Sequence, residues 1–192
     1  MLHTLSSNIA DFLLSKNCFE KDNLNIYVYG TELVISSLIG AILRFTLSLI
    51  TNSLLLGLLF YISFNTLRSY TGGLHCKTYL KCNITFVGVF LICLTAEHFV
   101  NSFILSAMTA LTLVMIIGLA PVENPNKPIE DKDKTKFKLI SLLIYFLHIS
   151  AYFVLKYLFE TDADIIIITD FISSILMIIG IINNRRCNYE ND

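Results

Sequence analysis

Charged residues are scarce in this sequence. Lys, Arg, Asp and Glu make up 15% of its 192 residues, whereas a soluble domain carries roughly 25%. Hydrophobic residues make up 55%, and a soluble fold would lack the polar surface needed to cover them. The net charge of −1 gives no general attraction to nucleic acid. These shortages exclude an ordinary soluble domain and predict a membrane protein without a nucleic-acid partner.

Signals for disulfides, metals and secretion are also lacking. The sequence has five cysteines: Cys18, Cys76, Cys82, Cys93 and Cys187. Their number is odd and no two form a CxxC pair, so we expect neither a disulfide framework nor a zinc site. The first residues lack a basic segment followed by a sustained apolar run, so a cleavable signal peptide is not expected.

The hydrophobic pattern predicts an all-α, polytopic membrane protein. Five apolar residues recur at helical spacing near the start: Leu2, Leu5, Ile9, Phe12 and Leu13. They predict an N-terminal amphipathic, interfacial helix within residues 1–22. Apolar stretches long enough to cross a bilayer follow. They predict six transmembrane helices, at about 28–50, 53–67, 78–96, 99–119, 137–158 and 165–183, in a single membrane-embedded domain of residues 1–192.

The positions of the cations support six spans. With a cytoplasmic N terminus, all of the 14 Lys and Arg residues except Arg44 and Lys156 fall in segments that six spans leave on the cytoplasmic side. Such asymmetry follows the positive-inside rule. It predicts a multi-pass membrane protein, with both termini and the polar stretch of residues 68–82 in the cytoplasm.

That polar stretch, RSYTGGLHCKTYLKC, contains a candidate catalytic pair. A thiol attacks a carbonyl only as thiolate, and a neighbouring imidazole can accept its proton, so His75 and Cys82 are candidates. On one straight helix they would lie about 10.5 Å apart along the axis, too far for the roughly 3 Å contact that proton transfer requires. Gly72 and Gly73 permit a tight turn, so we expect His75 in a loop folded over the helix of Cys82.

Cys76 is the alternative nucleophile because it adjoins His75 in the sequence. On a helix it would project about 100° away from its neighbour, so pairing geometry favours Cys82. Spacing alone does not distinguish a catalytic pair from a loop histidine and a membrane-edge cysteine without a catalytic role.

The same stretch resembles the signature of the accessory gene regulator B (AgrB) family, R-x-x-x-G-G-x-H-x-x-x-x-x-x-C. Every fixed position of the signature is present: Arg68, Gly72, Gly73, His75 and Cys82. The similarity continues in YGTE (29–32), AP (120–121) and NKP (126–128), in an order that covers most of the chain. One departure is Cys76, where the family more often has alanine.

The resemblance implies a membrane cysteine endopeptidase of peptide quorum sensing that acts on a short AgrD-like propeptide. It implies that Cys82 is the nucleophile and His75 the general base. The C-terminal tail of the propeptide would leave as a thioester forms on Cys82. An internal cysteine or serine of the peptide would then close a thiolactone or lactone ring. No metal or organic cofactor is expected, and residues 1–192 would form one peptidase domain.

Several residues are candidate substrate-binding or supporting groups. Gly72 and Gly73 belong to the signature, and Arg68 is expected to orient a substrate carboxylate through its planar fork. Glu32 is a carboxylate near a span and therefore a candidate to line the site. Lys127 lies in a basic loop that is expected either to be simply solvated or to attract an acidic peptide tail or anionic lipid.

Three polar residues within spans have simpler expected roles. Arg44 is expected to pair with Glu32 or Asp170 or to extend toward the surface. Asp170 is a weaker candidate than Glu32 for the site. His148 is expected to be a hydrogen-bonded packing residue.

Two other functions stay open from the residues alone. One is a peptide exporter or channel without peptidase chemistry, and the other is a membrane scaffold. Besides the lipid bilayer and the propeptide, a second copy of the chain in a homodimer is an expected partner.

Overall fold

A computed structural model of the protein describes residues 2–16, 23–74, 78–123 and 130–189. Within these ranges the chain forms seven helices: α1 (Leu2–Ser15), α2 (Leu24–Ile50), α3 (Leu54–Thr71), α4 (Tyr79–Glu97), α5 (Ser102–Leu119), α6 (Asp131–Leu158) and α7 (Asp164–Tyr189). The all-α prediction is confirmed.

Five helices in the described ranges are long and apolar enough to cross a membrane: Leu24–Ile50, Leu80–Glu97, Ser102–Leu119, Lys132–Leu158 and Asp164–Asn184. The chain is therefore a multi-pass membrane protein. The remaining predicted span, 53–67, overlaps α3. That helix has 18 residues and carries Asn65 and Arg68 in its second half, which makes it more polar than the other five.

The predicted span at 137–158 begins later than α6 itself. Glu130 precedes α6 in an extended conformation, with φ −62° and ψ 141°, and the helix starts at Asp131. The lysine-rich segment that follows forms the first turns of α6, because lysine is a good helix former even outside an apolar stretch.

α7 occupies the interior of the bundle. In its apolar window 61% of the residues are buried, against 17–22% in the other four windows. It packs against α3, α4, α5 and α6, and Ile165, Ile168 and Met177 are completely enclosed. Because lipid tails are as apolar as leucine, close van der Waals packing of this kind is what holds membrane helices together.

α2 carries small and polar residues inward and large apolar residues outward. Its buried residues recur every four positions: Ser36, Gly40, Arg44 and Ser48. Ile42, Phe45 and Ile50 are more than half exposed. This distribution suits a helix that packs through small residues and faces lipid with the rest.

α1 packs against α2 through its small residues Ser6 and Ala10, which are fully buried. Leu5 and Phe12 of α1 are 50% and 61% exposed. The first helix is thus joined to the bundle by its small face and leaves apolar side chains on its outside.

Candidate functional site

Gly72 and Gly73 turn the chain at the end of α3. Their φ values are 72° and 134°, in a region that residues with a Cβ atom rarely adopt. Thr78 is extended, with φ −138° and ψ 147°, immediately before α4. His75 itself lies outside the described residues. The extended Thr78 nevertheless excludes one straight helix running through to Cys82.

Two distant parts of the chain hold this turn in place. On one side, the Val122 N–H donates to the Thr71 carbonyl oxygen at 2.8 Å. A Cβ on Gly72 would lie 2.2 Å from the Val122 carbonyl oxygen, so a side chain would separate the two segments. On the other side, the Leu74 N–H donates to the Leu176 carbonyl oxygen of α7 at 3.2 Å.

Gly180 makes the contact with α7 possible. A Cβ at this position would lie 2.6 Å from the carbonyl carbon of Gly73 and 2.8 Å from the Leu74 nitrogen. Gly180 is one helical turn after Leu176, so its bare backbone leaves the space through which the turn reaches the Leu176 carbonyl group.

Cys82 lies in the first turn of α4 and is half-buried. The Thr78 hydroxyl oxygen caps the helix by accepting a hydrogen bond from the Lys81 N–H at 3.3 Å. The Cys82 N–H donates to the Thr78 carbonyl oxygen at 3.1 Å. The first turn of a helix carries a partial positive charge, which stabilises a thiolate at this position.

A small pocket joins Cys82 to the end of α3 and to α7. Arg68 of α3, Leu74 of the turn, Cys82 of α4 and Leu176 of α7 all line it. Its volume is about 10 Å³, enough for about one water molecule. Leu74 directly precedes His75 in the sequence. Two elements of the predicted site, Arg68 and Cys82, are therefore brought together.

Two guanidinium groups share one aromatic ring at this pocket. Arg68 donates a hydrogen bond to the Leu74 carbonyl oxygen, and its Cζ lies 5.5 Å from the centre of the Phe86 ring. The Cζ of Arg44, from α2, lies 5.1 Å from the centre of the same ring and close enough to Cys82 for an electrostatic interaction. A negative charge on the sulfur would therefore interact with the Arg44 cation, and Arg68 lines the same pocket.

Arg44 is only 8% exposed, so it does not extend outward, and the structure shows no described carboxylate paired with it. Glu32 contacts His3 and Asp170 contacts His148; among the described residues no carboxylate lies within salt-bridge distance of Arg44. Its second aromatic contact, 5.0 Å from the Tyr61 ring centre, stabilises a cation by about 0.5–2 kcal/mol. The Tyr61 and Phe86 rings together stabilise it by about 1–4 kcal/mol, which is comparable to the cost of about 2.5–3.5 kcal/mol for a charge at the centre of a span.

Glu32, the predicted supporting carboxylate, lies away from the pocket. Its Oε1 lies 2.6 Å from His3 Nδ1. Cys76 and Lys127 lie outside the described residues. In the part of the chain that the structure describes, no three His, Cys, Asp or Glu side chains are grouped so that they could hold a metal ion.

A second polar cluster joins α3, α6 and α7, and its members do not line the pocket. His148 Nδ1 lies 3.0 Å from Asp170 Oδ1, and His148 Nε2 lies 3.0 Å from Thr66 Oγ1. The Thr66 hydroxyl donates its own hydrogen to the Ile62 carbonyl oxygen at 2.7 Å, so Nε2–H of His148 is the donor to Thr66. The expectation that His148 is a hydrogen-bonded packing residue is confirmed.

Arg44 and Gly180 are the parts of this site that sequence reasoning missed. The sequence signal for Arg44 is that it is the one charged residue between Leu33 and Leu67. Gly180 carries no such signal, since it is a glycine within an apolar span.

Comparisons with known proteins identify the family. Residues 6–183 match the family model described as Accessory gene regulator B. The chain is 30% identical to an AgrB-like protein of Clostridium beijerinckii, over 98% of this chain and 96% of that protein. It is 31% identical to accessory gene regulator protein B of Staphylococcus haemolyticus, over 60% and 62% of the two chains. No solved structure matches. The chain belongs to the accessory gene regulator B family, which implies a role in processing the accessory gene regulator autoinducer from its propeptide at a membrane.

Proposed function

We propose that the protein is a cysteine endopeptidase that removes the C-terminal tail of an AgrD-like propeptide and promotes closure of the remaining peptide into a thiolactone or lactone. The observation that carries this proposal is the pocket shared by Cys82, Arg68 and Leu74, with His75 as the next residue of the chain. Because α3 ends at Thr71 and α4 starts at Tyr79, His75 and Cys82 are not on one helix, and the separation of about 10.5 Å between them on a straight helix does not apply.

In the first step Cys82 is the nucleophile and His75 the general base. His75 accepts the thiol proton, and the sulfur attacks the carbonyl carbon of the scissile peptide bond to form a C–S bond. The C–N bond then breaks, and the nitrogen of the departing tail takes the proton from His75. The product is a thioester between the peptide and Cys82. Preorganised positive charge beside the sulfur favours formation of the attacking thiolate.

In the second step the peptide itself is the nucleophile. An internal cysteine or serine of the peptide gives its proton to His75 and attacks the thioester carbonyl carbon. The C–S bond to Cys82 breaks, and the Cys82 sulfur leaves as a thiolate that recovers the proton from His75. Exchange of one thioester for another is nearly balanced in energy. A pocket with room for about one water molecule limits the competing hydrolysis.

The proposed topology has six spans and a cytoplasmic active site. The 18 residues of α3 rise about 27 Å, close to the roughly 30 Å thickness of the hydrocarbon layer. The positive-inside rule then puts the turn at Gly72 and both termini in the cytoplasm. Lys156, near the outer side in this topology, is neutralised by Asp164, with 2.5 Å between Nζ and Oδ1. The exposed Leu5 and Phe12 of α1 suit a helix that lies on the cytoplasmic membrane surface.

The basic loop before α6 contributes less charge than its lysine count suggests. Lys132 contacts Glu130 and Lys134 contacts Glu123, each at 2.6 Å. We therefore assign the attraction of an acidic propeptide tail to Lys127 and to the two lysines further along α6, Lys136 and Lys138.

Co-expression with the propeptide tests the proposal. Mass analysis of lysates should show a shortened peptide with the wild-type protein and none with Cys82→Ala, because the thioester cannot form. Cys76→Ala is the matched control and should retain cleavage. A shortened peptide produced by the Cys82→Ala variant contradicts the proposal. Absence of any cleavage by the wild type, together with peptide export, indicates the exporter instead.

A further inference from the structure

The guanidinium of Arg44 reaches the start of α4 from the neighbouring helix α2. A Cβ on Gly40 would lie 3.4 Å from Arg44 Nη1 and 2.6 Å from Asn83 Oδ1, so Arg44 and the residue after Cys82 converge over Gly40. Asn83 is itself tied to α2, since its Nδ2 donates to the Ser36 carbonyl oxygen at 3.4 Å. The missing side chain of Gly40 thus admits the cation to the first turn of α4.

Phe86 fixes the guanidinium from a second direction. Cys82 and Phe86 are four residues apart and share one face of α4. The Phe86 ring centre is 5.1 Å from the Arg44 Cζ. Contact with a ring face engages the charge of the guanidinium rather than its N–H donors. Arg44 Nε is buried and has no hydrogen-bond partner among the described residues.

In the part of the chain that the structure describes, no carboxylate balances the Arg44 cation. A guanidinium keeps its charge in proteins, and a buried charge without an opposite charge destabilises a fold. Among the described residues Arg44 has aromatic neighbours but no carboxylate partner. Arg68 has a different task, because it donates to the Leu74 carbonyl oxygen and so holds the turn before His75. The Cys82 sulfur, once it is ionised, would supply the negative charge that Arg44 otherwise lacks.

We propose that the Arg44 guanidinium stabilises the negatively charged sulfur of Cys82. It does so first when the thiolate attacks the peptide and again when the sulfur leaves as the peptide ring closes. This inference rests on the proposed function, because it takes Cys82 as the nucleophile. Arg44 transfers no proton in either step, since a guanidinium does not release one. Its effect is on how much of the sulfur is anionic at neutral pH.

The test measures the reactivity of Cys82 without substrate, in the full chain reconstituted in lipid nanodiscs. Iodoacetamide is uncharged, and peptide mass analysis follows its reaction at Cys82 alone. Arg44→Met removes the charge and keeps an unbranched side chain. It should slow alkylation about tenfold at pH 7, which corresponds to about one pH unit in the thiolate population. At pH of about 10 the rates should converge, because an ordinary thiol is then ionised without help.

Two further variants separate charge from structure. Arg44→Lys retains the cation and should alkylate within about threefold of the wild type at pH 7, a difference of less than half a pH unit. Lys156→Met is the matched control. Lys156 is also a span cation over an aromatic ring, 5.2 Å from the Tyr152 ring centre. It pairs with Asp164 at the start of α7, whereas Leu176, further along α7, lines the Cys82 pocket. Replacing Lys156 should leave Cys82 alkylation unchanged.

Equal alkylation of Arg44→Met and wild type at pH 7 overturns the inference, and so does a defect that persists at alkaline pH. If Arg44→Met is not recovered folded, Arg44→Gln replaces it, and equal rates for Arg44→Gln and Arg44→Lys give the same negative answer. The two hypotheses fail separately. Cleavage by Cys82→Ala refutes the proposed function, whereas Cys82-dependent cleavage with Arg44-independent alkylation refutes only the role of Arg44.

Discussion

Two polar centres lie inside this apolar bundle, and their charges are balanced differently. In the cluster of Thr66, His148 and Asp170, each imidazole nitrogen has a partner at 3.0 Å, and the carboxylate lies beside the imidazole. At the Cys82 pocket the Arg44 cation lies against aromatic rings, and no carboxylate among the described residues balances it. One centre is complete in itself, and the other has a surplus of positive charge.

Under the proposed function, the first cluster joins helices and the second serves a reaction. The hydrogen bonds of Thr66, His148 and Asp170 satisfy polar groups in lipid and link α3, α6 and α7. A cation without an opposite charge is unfavourable until an anion arrives beside it. Departures from the rules of stable folding are commonly found at functional sites, and the Arg44 cation is one such departure in this chain.

Measured by the free energy of unfolding, the largest effect is expected when the balanced cluster is broken. Asp170→Leu should lower the free energy of unfolding by about 3–5 kcal/mol, because Asp170 is fully buried and its loss leaves His148 Nδ1 without its partner. Reversible unfolding in SDS–lipid micelles, followed by circular dichroism, measures this change.

The double variant His148→Leu with Asp170→Leu is the control for that experiment. Replacing both partners of a buried pair by apolar residues is often neutral, so most of the lost stability should return. A double variant as unstable as the single one would mean that the cluster does more than balance its own charges.

A smaller loss of stability, with a large loss of activity, is expected at Gly180. The Cβ of Gly180→Ala would press on Gly73 and Leu74, and such overpacking costs about 1–3 kcal/mol. Displacing the turn before His75 by about 1 Å should lower the cleavage rate about a hundredfold. Quantitative mass analysis of propeptide and product measures the rate.

Gly88→Ala controls for the general effect of a methyl group in a span. Gly88 lies on α4, as Cys82 does, and a Cβ there would meet nothing within 4 Å. Cleavage by this variant should equal that of the wild type. Equal rates for Gly180→Ala and Gly88→Ala would show that the contact between the turn and α7 is not needed for activity.

Thr66→Val should lower the free energy of unfolding by about 1 kcal/mol, because it removes one hydrogen-bond partner of His148 and leaves the pairing with Asp170 intact. Propeptide cleavage should stay at the wild-type rate, since Thr66 does not line the pocket. A Thr66→Val protein that remains folded but loses cleavage would assign the balanced cluster a part in the reaction.

The smallest effect on stability is expected for Arg44→Met. This variant best separates the Arg44 site from the cluster of Thr66, His148 and Asp170. Arg44→Met removes a buried charge that has no carboxylate partner among the described residues. The free energy of unfolding should therefore stay within about 1 kcal/mol of the wild type or rise, while propeptide cleavage slows. The same unfolding assay measures this change. A loss of several kcal/mol would show that Arg44 stabilises the fold, as His148 and Asp170 do.

The features predictable from the sequence are those set by local chemistry. A run of apolar residues predicts a spanning helix because of its length and composition. The pair Gly72-Gly73 predicts positive φ because other residues avoid that region, and both glycines adopt it. The separation of His75 from Cys82 on a helix already required a break between them, and Thr78 supplies it.

The features that sequence reasoning did not predict depend on which helices pack together. Arg44 was expected to pair with Glu32 or Asp170 or to extend toward the surface. The packing of α2 on α4 instead brings it to Phe86 and Cys82. The need for glycine at position 180 arises in the same way, because it depends on a turn about a hundred positions earlier in the chain (180 − 73 = 107).

The turn that precedes His75 is synthesised well before the residue that anchors it. Leu176 follows Leu74 by 102 positions (176 − 74), an interval of roughly 5–20 s at about 5–20 residues per second on the ribosome. Until Leu176 has been synthesised, the hydrogen bond that docks the turn has no acceptor. A chain that stops before α7 therefore carries Cys82 without the docked turn. Under the proposed function we expect such incomplete chains to be inactive, because the position of the turn before His75 depends on the last helix.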